Sequence, residues 1–150
     1  MKAKLKTKIR IQKAICWNAM QQEKDYLLRE VQRLSFVLSQ LILKAIGKKS
    51  NGLDQDFESI EQTLRTEFDF DLTELAKMDK MQFNTLMSSL NESHLEKLAE
   101  LIYHVVENSN QLLRHELLEK GLLILEFLEE NSQLFSIKRM QLKNKLNDLF

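Results

Sequence analysis

Three histidines, one cysteine and a dense run of carboxylates are the groups in this sequence with the most obvious reactive chemistry. His94, His104 and His115 each lack a second histidine or cysteine at the one-turn spacing that a metal site on a helix needs, and no Glu-x-x-His or His-Glu-x-x-His run occurs. Glu100 and His104 are four apart, so on a helix they share a face; this reads as a surface hydrogen-bonded pair rather than a site. Cys16 follows basic residues that favour a thiolate, but no histidine is placed to activate it, and it reads as a packed or exposed thiol. The stretch from Asp54 to Asp79 holds nine carboxylates without the D-x-[DN]-x-[DN]-G pattern of a calcium loop, which leaves helix caps and solvated faces to explain them. Gly47 and Gly52 are too sparse to form a phosphate-cradling loop. The expectation is therefore a protein that is not an enzyme, with no catalytic residue, no metal ligand and no cofactor. Met78, Met81, Phe83 and Met87 are read as core filling in preference to an adaptable apolar groove.

Charge offers a different kind of chemistry. Residues 1–50 carry 12 Lys and Arg against 3 Asp and Glu, while residues 51–150 carry 10 against 19. Lys2, Lys4, Lys6, Lys8, Arg10 and Lys13 form a basic arm whose side chains could contact the phosphates of a nucleic acid or an anionic lipid, with Trp17 beside them to stack or insert. The other reading is that the two halves meet, within one chain or between chains, and neutralise each other. That second reading is preferred, because an acidic body repels a polyanion held within a Debye length, about 8 Å at physiological salt.

These groups must be positioned by helices. The chain of 150 residues has no proline and three glycines, and nowhere shows the alternation bounded by turn residues that marks strands. The expectation is an all-α bundle of six or seven helices. Asp25 to Ile46 reads as a long helix stopped at Gly47, and the loop after it is the expected boundary between a basic arm with its helix, 1–50, and an acidic body, 51–150, in one compact unit overall. Capping signals divide the body: Asp54 opens a helix to Glu67, Asp71-x-x-Glu74 and Asp79-x-x-Gln82 open two short ones, Ser93-x-x-Glu96 and Asn108-x-x-Gln111 open two longer ones, and Asn131 or Ser132 opens the last. No apolar segment follows the basic start as in an export signal, and no run of 18 apolar residues spans a membrane, so a cytoplasmic protein is expected.

Within the long helix, Leu27, Val31, Leu34, Leu38, Leu41 and Ala45 are spaced 4, 3, 4, 3, 4, an unbroken apolar seam. Phe36 and Leu43 lie on roughly the opposite side. A surface helix needs one apolar stripe; two allow it to meet the body with one and another chain with the other. Either the helix lies buried within a single bundle, or Leu27, Val31, Leu34, Phe36, Leu38, Leu41 and Leu43 make an association surface for a second copy or another protein.

Lys24-Asp25-Tyr26-Leu27-Leu28-Arg29-Glu30-Val31, with the later Lys44-Ala45-Ile46-Gly47-Lys48-Lys49, resembles the N-terminus of an uncharacterised bacterial family of small helical proteins whose second half is similar to tetratricopeptide repeats. The resemblance implies an all-helical fold and brings no cofactor or catalytic residue. Over residues 93–150, Leu95-x-x-Leu98-Ala99-x-x-Ile102 matches the first-helix spacing of such a repeat, with Ala99 as the small residue at a close helix contact. Gly121 is read as serving the same end in a later helix, since a mid-helix glycine costs about 1 kcal/mol against alanine. The repeat's proline is missing, so the expectation is a repeat-like hairpin and not an array.

Overall fold

The computed structural model describes residues 13–46, 53–108 and 113–150. Among them it has seven helices and no strand: α1 Lys13–Ile46, α2 Leu53–Phe68, α3 Leu72–Lys77, α4 Lys80–Ser89, α5 Glu92–Asn108, α6 Arg114–Asn131 and α7 Ile137–Asp148. The basic arm at Lys2, Lys4, Lys6, Lys8 and Arg10 and the terminating Gly47 lie outside the described residues, as do the side chains of Lys13, Cys16 and Trp17. Of the cap expected at Asn108-x-x-Gln111, Asn108 is instead the last residue of α5, Gln111 lies outside the described residues, and α6 begins after Leu113 with no side-chain cap.

The chain divides into two compact units, Met1–Arg33 and Leu34–Phe150. The division falls inside α1. The reason is apolar burial: Leu38, Leu41, Ile42 and Ala45 occupy one face of α1 at i, i+3, i+4 and i+7, and all four are in the core of the second unit. That half of the helix belongs with the body.

The core of the second unit centres on α5 and α6, which pack along their length. Leu95, Leu98, Ala99, Leu101, Ile102, Val105 and Val106 of α5 face Leu117, Leu118, Ile124, Leu125 and Leu128 of α6, every one of them buried. Leu142 and Leu146 of α7 close one side, and Leu72, Leu75 and Ala76 of α3 pack on α6 from another. Gly121 is a point of close approach. A Cβ there would lie 3.3 Å from Ile102 Cγ2 and 3.3 Å from Leu146 Cδ1, so the absence of a side chain lets α5 and α7 come in together. The four residues of the repeat-like spacing, Leu95, Leu98, Ala99 and Ile102, are all buried, as any core-facing helix stripe requires.

Between α2 and α3 the chain turns without glycine or proline. Asp69 takes a left-handed φ of 63°, a conformation aspartate tolerates better than most side chains, and so ends α2. Phe70 then points into the core, and Asp71 caps α3, its Oδ1 accepting from the Glu74 N–H at 2.7 Å. Its Oδ2 accepts from Arg65 Nη2 at 2.6 Å and Nε at 3.1 Å, tying the turn to the last turn of α2. Asp79 and Gln82 form the expected reciprocal capping box at the start of α4.

Two other caps differ from expectation. The helix after α4 begins two residues earlier than Ser93 would set it: Asn91 Oδ1 accepts from the Ser93 N–H at 2.9 Å, so asparagine holds the end and Ser93 sits inside α5. The last helix begins after Ser136, whose hydroxyl accepts from the Arg139 N–H, and not at Asn131 or Ser132. Asn131 instead finishes α6, donating to the Phe127 carbonyl at 2.8 Å.

Candidate functional site

The seam read from the sequence separates by position. In the first unit Tyr26, Leu27 and Leu28 are 66%, 61% and 58% exposed, and Val31 is half-buried. In the second unit Leu34 is half-buried, Leu38 and Leu41 are in the core, and Phe36 and Leu43 are exposed. Leu38 and Leu41 therefore offer no surface to a partner: they are on the face that α1 presents to its own body. Phe36 and Leu43 stand seven apart on the outward side, where nothing in their own unit covers them. Tyr26 and Leu28 join Leu27 as apolar groups in water. The signal was present in the sequence, since three consecutive large apolar residues on a helix span about 200° of its circumference and cannot share one buried stripe.

The titratable residues sit where packing or surface pairing explains them. His94 is buried, its ring edge-on to Phe68 at 5.9 Å between centroids. His104 Nδ1 is 3.8 Å from Glu107, one turn ahead, and not paired with Glu100 as the spacing suggested. Glu100 meets Lys138 of α7 at 3.6 Å, a cross-helix cation that local spacing does not show. Burial pushes the His104 imidazole below its ordinary value, against the opposing pull of Glu100 and Glu107. His115 lies edge-on to Phe150 at 5.2 Å. Among the described residues no three His, Cys, Asp or Glu side chains come together to hold a metal ion, and no helix is long and apolar enough to cross a membrane. Phe83 and Met87 are core, Met78 is half-buried and Met81 is exposed, so these four do not line a common groove.

Asp71 carries the strongest local electrostatics. Burial pushes its carboxyl up, the Glu74 N–H and the Arg65 guanidinium pull it down, and the net position is below the usual carboxylate range. Its oxygens are taken up by the cap and by Arg65, which makes it a structural group. Among the exposed large apolar groups of α1 are Tyr26, Leu27 and Leu28 in the first unit and Phe36 and Leu43 in the second.

No protein-family model matches this chain, and no curated protein or solved structure is significantly similar to it.

Proposed function

We propose that this protein acts by association with other polypeptide chains, as a homo-oligomer or a small helical adaptor, using apolar side chains of α1. The single observation that carries the reading is the run Tyr26-Leu27-Leu28, three adjacent large apolar residues each more than half exposed. The three side chains spread over about 200° of the helix, so a partner covers them by wrapping around it, and large apolar groups left in water are what such a partner would cover. A fully buried leucine contributes about 1.5–3 kcal/mol relative to an exposed one, so covering three such groups is a substantial drive for association. Phe36 and Leu43 support the same reading from the second unit, where the opposite face of the helix is already spent on the core. The sequence resemblance to small helical proteins with repeat-like halves agrees with an associating module and adds no chemistry.

The test is the solution mass of the full chain beside a Leu27→Glu, Leu28→Glu double variant. Both positions are exposed, so the fold survives the charges. The reading expects a wild-type mass above the 17.7 kDa of one chain and a lower mass for the variant. Equal masses for the two proteins contradict it.

A further inference from the structure

A second apolar surface lies far along the sequence from α1. The connection between α6 and α7 places Leu134 and Phe135 in solvent at 79% and 78% exposure, with Ile137 and Met140 exposed beside them on the first turns of α7. Together with Ser132, Ser136 and Glu129 this segment encloses an open recess of about 360 Å³. Arg139 lines the same recess, and only 8% of that residue is exposed.

Arg139 is unusual among the cations near it. Lys143 is paired with Glu129 at 3.2 Å, and Lys138 with Glu100 at 3.6 Å. Arg139 has no carboxylate within ion-pair distance among the described residues. Its Nη2 donates to the Leu134 carbonyl and, at 3.5 Å, to the Ser132 hydroxyl; Nε and Nη1 make no hydrogen bond. The guanidinium nitrogens without a protein partner are not sealed from solvent, so they remain open to a ligand, and a carboxylate is the group whose geometry fits them. The first turn of α7 has no acidic side chain to offset the positive end of that helix. Glu129, the one acid on the rim, has its charge taken up by Lys143.

We infer that this recess is a docking site for the C-terminal residue of another polypeptide, an apolar side chain among Leu134, Phe135 and Met140 with its carboxylate on Arg139. Charge selects the occupant. A neutral apolar segment leaves the guanidinium uncompensated, and a basic one opposes it. An apolar C-terminal residue brings both required groups within the length of one amino acid, which is what an open recess of this size admits. The site is separate from α1, and its success or failure leaves the association reading of that helix untouched.

The test is a titration of the full-length protein, followed by backbone amide NMR, with an acetylated tetrapeptide Ac-Gly-Ser-Ser-Leu bearing a free carboxylate, with the same peptide amidated, and with sodium acetate. The inference expects saturable shifts confined to residues 132–140 for the free-carboxylate peptide and binding about tenfold weaker for the amide, the usual size of losing one charge-assisted pair. Phe135→Ser, at a largely exposed position outside the core, should weaken the free peptide severalfold. Arg139→Gln should abolish the difference between carboxylate and amide. Four outcomes overturn the inference: no shifts in 132–140, equal binding of acid and amide, acetate matching the peptide, or concentration-dependent shifts in the protein alone, which would mean that a second copy covers the recess.

Discussion

Leu38 and Phe36 are two residues apart on one helix, and the fold treats them oppositely: the first is in the core and the second stands in solvent. Their substitutions should separate accordingly. Leu38→Ala removes buried methyl groups from a close-packed site and should cost about 2–5 kcal/mol in denaturant unfolding. Phe36→Ala touches no core partner and should change stability by no more than about 0.5 kcal/mol while reducing association. His104 adds a pH dependence. Burial holds its folded-state pKa below the ordinary value, so its neutral form fits the native state better than its charged form. The sign follows: nothing is lost while both states are neutral, and stability falls as pH drops below the unfolded-state value, about 6.5, towards the lower folded-state value. His104→Gln should flatten that part of the stability profile; an unchanged profile would assign the acid sensitivity elsewhere. Asp71 acts lower on the scale, with its contribution present above the ordinary carboxylate value and lost as acid protonates it.

At the scale of elements, what was legible in the sequence was local. The helical class follows from missing proline, scarce glycine and apolar spacing, and caps that act within three residues, at Asp71 and Asp79, read correctly from the chain. Asp79→Ala should cost about 1 kcal/mol, measured by the unfolding midpoint, because it leaves the Gln82 N–H without its acceptor. The caps that failed did so for a physical reason. Ser93 and Asn91 are both competent, and Asn91 takes the cap, its Oδ1 accepting from the Ser93 N–H and from the Ser93 hydroxyl. Asp69 ends α2 by a left-handed backbone that no glycine announces. The partner of Glu100, Lys138 of α7, comes from tertiary approach, and no local spacing encodes it. Gly121 was legible as a packing glycine because its cost in a helix demands a return, and the structure locates that return at Ile102 and Leu146. A small Cβ there gains helix propensity and loses room, so Gly121→Ala should stay within about 1 kcal/mol of wild type. Gly121→Val has no such balance and should destabilise by about 1–3 kcal/mol through overpacking.

For the whole molecule the central feature is the division of α1. Its later half supplies Leu38, Leu41, Ile42 and Ala45 to the core, and its earlier half carries Tyr26, Leu27 and Leu28 in water. The apolar seam was visible in the sequence, but its periodicity is the same whether a helix meets its own chain or another, so only the fold separates buried positions from exposed ones. The sorted charge, basic before residue 50 and acidic after it, offers a competing drive for association, and salt distinguishes the two: ion pairs between surfaces are screened, whereas apolar contact is not weakened by salt. The measurement that bears most directly on the account is the mass of the unmodified full chain by light scattering, taken at low and at high salt across a range of concentrations. Association through the apolar residues of α1 predicts a mass above 17.7 kDa that persists at high salt. A mass of 17.7 kDa at every concentration, or a larger one that collapses to it when salt is added, would contradict it.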